Sequence, residues 1–373
     1  MKGLVLFGTR PEAIKLTPVI LALKSRFGDD CVTIVNSGQH RSLLDDTLRT
    51  LNLKVDVNFN VMSEAQRPSD CVTRVTTATC DLLTANKPDW VMVQGDTATA
   101  FAGALAAHLV HVPVIHLEAG LRTNDLSAPW PEESFRQMIA RITDLNLAQT
   151  PRAYTNLKNE GLSSTHTAIV GNTGYDMQRL ISQQFGDGLP EDAPKGPFCL
   201  ITVHRRENLG APLDLFCQNL QLLMQTHEAL TFLWPKHPNP AIGSAIEQYF
   251  SEQGDQLRII EPLDYITFQK YMKNAALIIS DSGGVQEEAA SLGVPIAVVR
   301  DKTERQDIVE LGLAQLVGGD GRDLVSVSNA LLKSTVDEAA KQKWIKIQGS
   351  GQAAEKAVTE ISDFFQGGGN VSQ

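Results

Sequence analysis

Short apolar runs alternate with longer segments of helical period along the whole chain. In the first half the runs are Gly3–Phe7, Val32–Asn36, Trp90–Gln94, Val114–Leu117 and Leu145–Ala148. Between them lie Glu12–Phe27, Asp70–Thr84 and Thr97–His111, whose apolar positions recur at helical spacing. Strands that are apolar on both faces and separated by helices predict βαβ units around a parallel sheet, because the helices cover both faces. The second half repeats the rhythm, without sequence repetition, in Cys199–Val203, Thr231–Trp234, Arg258–Ile260, Leu277–Ser280 and Ile296–Val299. Gln184–Pro197 (QFGDGLPEDAPKGP) gathers glycine, proline and acid, so composition alone places a loop and a domain boundary near it. The expected architecture is α/β, with two doubly wound domains whose strand C-termini open on a shared cleft, where ligands of such sheets bind.

Composition narrows the partners. A chain of 373 residues is long for one core and comfortable for two. Its net charge of −10 argues against a nucleic-acid or anionic-membrane surface, since both are bound mainly through excess Lys and Arg. The five cysteines (Cys31, Cys71, Cys80, Cys199, Cys217) are scattered, with no CxxC pair, and read as core thiols in a reducing cytosol. Gly8–Lys15 interrupts the first apolar run too early for a signal peptide, and no window approaches the roughly 18 apolar residues of a membrane span. A cytoplasmic protein without membrane partners is therefore expected, ending in a frayed tail, FQGGGNVSQ.

The chemistry sits at the strand ends. The first strand exits into GTRPEAIK, a helix start with Pro11 at its beginning and Arg10 and Lys15 close by, suited to an anion. It is not GxGxxG, and no GxxxxGK[ST] occurs, so neither a nicotinamide cofactor nor a Walker-type triphosphatase is indicated. Asp96 follows the third run, either as a helix cap or as a functional carboxylate. The stretch HLEAGLRTNDLSAPWPEESFR (116–136) then supplies Glu118, Arg122, Glu132, Glu133 and Arg136. There Glu132 and Arg136 stand at i, i+4, and the two glutamates also suit a first helical turn. Carboxylates converging in one place raise each other's pKa, as proton transfer requires. In the second half His204-Arg205-Arg206 leaves a strand, and Ser282-Gly283-Gly284 opens a helix as a phosphate cradle, with Glu287 and Glu288 a turn later for ribose hydroxyls. Further cations stand in RDKTER (300–305). A diphosphate at one end and acid/base chemistry at the other describe a nucleotide sugar.

Nine ordered blocks carry a closer likeness: FGTRPEAIK, GQHR, QGDT, HLEAGLRT, PWPEESFR, GNT, HRREN, DSGGVQEEA and RDKTER. Across nearly its full length the chain resembles the non-hydrolysing UDP-N-acetylglucosamine 2-epimerases. The resemblance implies the GT-B architecture, two Rossmann-like domains facing a cleft. One domain would span 1–170 plus 354–373 and the other 171–353, with the hinge near Gly171-Asn172-Thr173 and the last helix, about Ala354–Gln366, packed on the first domain. It implies a homodimer, a UDP-sugar substrate, and no metal or nicotinamide cofactor. The implied reaction is anti elimination of UDP to 2-acetamidoglucal, then re-addition with protonation on the other face of C2. Asp96, Glu118, Glu132 and His204 match catalytic positions. Arg10, Lys15, Leu263, Phe268, Ser282, Gly283, Gly284, Glu288 and Arg305 match substrate positions, with Asp96, Glu118 and His204 shared. Gln39, Arg41 and Ser42 fall where a second UDP-N-acetylglucosamine activates bacterial members.

Departures stand at Phe135, where the family has asparagine, at Gln306-Asp307, around Gly349–Gly351, and at Ser42. They predict an altered activator requirement or sugar tolerance, with Phe135 placing an apolar ring near the sugar end. Alternatives at this level are a hydrolysing epimerase releasing N-acetylmannosamine and UDP, an epimerase of a further-substituted UDP-sugar, a GT-B glycosyltransferase, and a silent nucleotide-sugar sensor. The carboxylates speak against the last.

Overall fold

The computed structural model describes residues 1–39, 42–61, 67–162, 166–204, 208–237, 239–251 and 254–366. Two compact units emerge, Met1–Arg179 together with the chain from Ile347 onward, and Leu180–Lys346.

The first unit is built on a parallel sheet of β1 (Gly3–Phe7), β2 (Val32–Asn36), β3 (Val57–Asn58), β4 (Trp90–Gln94), β5 (Val114–Ala119), β6 (Leu145–Ala148) and β7 (His166–Ile169). Their order is β3-β2-β1-β4-β5-β6-β7. Every residue of β1, β4 and β6 is buried, as strands covered on both faces must be. The covering helices are α1 (Arg10–Phe27), α2 (Ser42–Thr50), α3 (Pro68–Asn86), α4 (Ala98–Leu109), α5 (Glu132–Arg141), α6 (Pro151–Asn159) and the start of α7 (Thr173–Phe185). Proline in the first turn sets α1, α3 and α6 off, where its missing N–H is not needed.

The second unit holds β8 (Phe198–Thr202), β9 (Thr231–Pro235), β10 (Leu257–Ile260), β11 (Leu277–Ser280), β12 (Ile296–Val298) and β13 (Ala314–Leu316), also parallel, in the order β10-β9-β8-β11-β12-β13. Its helices are α8 (Ala211–Thr226), α9 (Pro240–Phe250), α10 (Tyr265–Asn274), α11 (Gly283–Leu292), α12 (Gln306–Glu310), α13 (Leu324–Lys333) and α14 (Glu338–Ile347). Trp234, Phe216 and Phe232 fill its core. The five cysteines are all free thiols.

After α14 the chain returns to the first unit. The helix α15 (Ala353–Gln366) places Ala357, Val358, Ile361 and Phe364 in the same core as Val5, Phe7, Leu16 and Ile20. At the crossing Asn172 donates its N–H to the Gln348 carbonyl at 2.9 Å and its side-chain amide to the Gln348 side chain at 3.0 Å. A Cβ on Gly171 would lie 2.3 Å from that carbonyl, so the backbones meet only because this residue has none. The Asp176 carboxylate then accepts from Ala354 N at 2.7 Å. These ties hold the first turn of α7 in the first unit. The compact units change over at Leu180 and Ile347. Among the described residues no helix is long and apolar enough to cross a membrane. The sequence from Gly367 lies outside the described residues.

Candidate active site

In a doubly wound sheet the strand order reverses at one place, and the crevice beyond the carboxyl ends there takes ligands. In the first unit the reversal falls between β1 and β4, in the second between β8 and β11. The candidate residues gather at both.

At the first reversal β1 leads to Arg10, the first residue of α1, and β4 leads to Gly95-Asp96-Thr97. Glu118 lies at the end of β5, beside β4, and Glu132 opens α5. All four are partly exposed. Glu118 has φ of 66°, in the left-handed region that a residue with a Cβ enters at a cost of about 1–2 kcal/mol. The β5–β6 register shifts around it, between Leu117 and Ala119. Its carboxylate accepts from Lys15 Nζ and, at 2.7 Å, from Gln94 Nε2. Strain of this kind persists only where the surroundings over-determine it, and it clusters at functional sites. Lys15 is thus the buried partner of a strained carboxylate.

Asp96 is held from the α5 side. The buried Arg136 donates Nη2 to Asp96 and, at 3.2 Å, Nη1 to the fully buried Glu133. Glu133 also accepts from Thr123 N at 3.0 Å, Asn124 N at 3.2 Å and Gln137 Nε2 at 2.9 Å. More than a favourable first-turn charge, it is the node tying the loop before α5 to the arginine that holds Asp96. His116, fully buried, has Nε2 2.7 Å from the Gly95 carbonyl. Burial pushes its pKa down to about 4, so at neutral pH it is the uncharged ring that steadies this turn. Beneath both turns Glu12 accepts from Gly8 N (3.1 Å), Thr9 N (2.8 Å) and Thr9 Oγ1 (2.7 Å), and from Thr97 Oγ1 (2.7 Å). One buried carboxylate thereby joins the β1–α1 and β4–α4 turns. Burial raises its pKa to about 7 despite those bonds.

Phe135 is packed into the first unit. Its ring is buried and stacks on Phe101 of α4, with centroids 5.0 Å apart and planes 9° from parallel. It belongs to the apolar core with Ile139, since the side chain of α5 that points toward Asp96 is the next one, Arg136. Of the activator positions, Gln39 accepts from Thr99 Oγ1 at 2.8 Å and Ser42 opens α2, whereas Arg41 lies outside the described residues.

At the second reversal His204 follows β8 and Asp281-Ser282 follows β11. Asp281 is fully buried. Its Oδ2 accepts from His204 N at 2.8 Å and Asn208 Nδ2 at 3.1 Å, and its Oδ1 lies 3.3 Å from His204 Nδ1. A buried aspartate on Nδ1 orients the ring. The His237 ring stacks on that of His204, 4.9 Å between centroids. Ser282 is the N-cap of α11, and its side chain makes no cap bond. A Cβ on Gly284 would meet nothing within 4 Å, which leaves the helix start open to an anion. Gly283 is glycine for another reason, because its Cβ would lie 2.6 Å from Arg305.

Arg305 itself is buried. It donates Nε to Glu287 at 3.0 Å and Nη1 to Glu304, which lies 3.0 Å from Arg300. Glu287, read from the sequence beside Glu288 as a ribose acceptor, is a member of this buried network. Glu288 is partly exposed and accepts from Tyr265 and Gln269. Leu263 precedes α10 and Phe268 lies in its first turn, both half-buried. Arg205 and Arg206 lie outside the described residues. Sequence reasoning missed Gln94, Arg136 as the Asp96 partner, and Asp281. The last stands inside the quoted DSGG block, and its place after a buried strand was the available signal.

Known proteins resemble the chain over nearly its whole length. The sequence profile described as UDP-N-acetylglucosamine 2-epimerase matches residues 27–362. A UDP-N-acetylglucosamine 2-epimerase of Bacillus subtilis is 36% identical over 362 residues, covering 97% of this chain and 95% of that one. The crystal structure of UDP-GlcNAc 2-epimerase from Neisseria meningitidis bound to UDP-GlcNAc is 33% identical with a TM-score of 0.86, covering 98% and 100%. The Methanocaldococcus jannaschii enzyme in complex with UDP-GlcNAc and UDP is 31% identical with a TM-score of 0.85, covering 97% and 99%. The chain belongs to the UDP-N-acetylglucosamine 2-epimerase family.

Proposed function

We propose that the protein is an isomerase that interconverts UDP-N-acetylglucosamine and UDP-N-acetylmannosamine without net hydrolysis. The observation that carries this is Glu118, held in a left-handed conformation at the first sheet's reversal near Asp96. The ligands bound to the Neisseria and Methanocaldococcus relatives support the substrate. In the proposed reaction one carboxylate takes the proton from C2, and the C1–O bond breaks with its electron pair passing to the β-phosphate of UDP. The product pair is 2-acetamidoglucal and enzyme-held UDP. A proton delivered to the opposite face of C2, with the UDP oxygen rejoining C1, completes the inversion. Glu118 and Glu132 are the leading pair for the two proton transfers, with Asp96 and its arginine beside them. Lys15 and Arg10 contribute positive charge where the sugar and its phosphate meet.

UDP is assigned to the second unit, with its phosphates at the α11 start and its base near Leu263 and Phe268. His204, oriented by Asp281, stabilises charge developing on the departing phosphate. Elimination and re-addition leave the oxidation level unchanged, so the proposed reaction needs no nicotinamide, and it is proposed to proceed without a metal. We further propose a cytoplasmic homodimer, with Gln39, Arg41 and Ser42 forming the site of an activating UDP-N-acetylglucosamine.

Proton NMR of the enzyme with UDP-N-acetylglucosamine in deuterated water tests the reading. The expected result is deuterium at C2 of both epimeric UDP-sugars, with no accumulation of free sugar. Free N-acetylmannosamine would establish a hydrolysing enzyme, and absence of C2 exchange would point to group transfer. Omitting and then adding UDP-N-acetylglucosamine to an assay begun from UDP-N-acetylmannosamine tests the activator site.

A further inference from the structure

We propose that Tyr265 and Gln269 are positioning residues that set the Glu288 carboxylate for a ribose diol, and so determine selectivity for ribonucleotides over 2′-deoxyribonucleotides. The proposal rests on the assignment of UDP to the second unit. Tyr265 and Gln269 stand at i, i+4 on α10 and project side by side toward α11. The Tyr265 hydroxyl donates to Oε1 of Glu288 at 2.6 Å, and Gln269 Nε2 donates to Oε2 at 2.7 Å. Each carboxylate oxygen thus receives its own donor, and turning the group about its last bond would break both contacts. The two donors are themselves fixed. Tyr265 and Gln269 are 4% and 5% exposed. The helix start that carries Tyr265 is capped by Asp264, whose Oδ1 accepts from Ile266 N at 3.0 Å and Thr267 N at 3.1 Å.

A carboxylate offers about four acceptor positions, and the Tyr265 and Gln269 donors take one on each oxygen. Two neighbouring hydroxyls on one ring face match its two oxygens. Glu288 lies one turn beyond Gly284, about 6 Å along the helix axis from the open α11 start. A nucleoside whose 5′-phosphates occupy that start carries its ribose over this turn. Sites built to bond a hydroxyl reject the analogue lacking it far better than apolar pockets reject a size change, because a buried polar group is then left without its partner. With its plane fixed, Glu288 cannot turn away to accommodate a deoxyribose.

The test is calorimetric titration of the full chain with UDP and with 2′-deoxy-UDP, on wild type, Tyr265→Phe and Gln269→Leu. Tyr265→Phe removes the hydroxyl and Gln269→Leu the amide, each with little change of volume. Wild type is expected to prefer UDP. Each variant is expected to lose about tenfold in UDP affinity while 2′-deoxy-UDP affinity changes less than about twofold, so the discrimination collapses. Glu288→Gln is expected to reduce the same ratio. Equal losses for both nucleotides, or unchanged UDP affinity in both variants, would overturn the proposal and leave the UDP assignment standing. A wild type that binds neither nucleotide would overturn the assignment, and this proposal with it. Should one variant fail to fold, the other gives the same readout.

Discussion

Glu118 carries a conformational cost that an ordinary strand residue avoids, and its partners Lys15 and Gln94 keep it there. Glu118→Ala and Glu118→Gly remove the same contacts but differ in that cost. Glycine is expected to be the more stable variant by about 1 kcal/mol in chemical denaturation, the reverse of the usual order in a strand. Both should lack turnover in a C2 exchange assay. Equal stabilities would show that the backbone at 118 relaxes without penalty. The position of this carboxylate was legible in the sequence, because a polar residue ending a buried strand stands out. Its backbone conformation was not, since the register shift that produces it arises from β5 meeting β6. At Phe135 the residue type drew attention from the sequence, but its stacking on Phe101 one helix away is a long-range contact that the sequence does not display.

Between elements, Glu12 is the junction whose chemistry depends on pH. Its folded pKa, about 7, lies above the ordinary value of 4.5, so its contribution to stability is fully present below about pH 4.5 and is lost as pH rises through 7. Glu12→Gln cannot titrate. The melting temperature of wild type minus that of the variant is therefore expected to fall as pH goes from 4.5 to 7.5, and a flat difference would refute the assignment. Long buried strands and their helices were readable from periodicity, because covering both faces forces continuous apolar runs. The strands not anticipated, β3, β7 and β13, are the sheet edges or short pieces with exposed positions, where pairing with a neighbour decides the conformation.

For the whole molecule, the first unit draws its core from both ends of the chain. Ile361 is fully buried in that core, so Ile361→Ala is expected to cost about 2–5 kcal/mol. The loss should appear as reduced hydrogen-exchange protection in β1 and α1, with β8 and β11 unchanged; uniform loss across both sheets would contradict the division. Composition alone put the boundary in the acidic loop after α7, because glycine and proline mark loops wherever they occur. The ties of Asn172 and Asp176 to the returning chain are long-range and leave no compositional trace.

That return has a consequence for synthesis. Residues 1–179 leave the ribosome first, yet Ala357, Val358, Ile361 and Phe364 are the last part of their core to be made. The segment 180–346, flanked on both sides, has its own complete core before then. Nascent chains of this protein therefore finish the later-made unit first. During that interval the earlier one lacks the α15 side chains that complete its core, and apolar surface left uncovered in this way is what makes incomplete chains prone to aggregate.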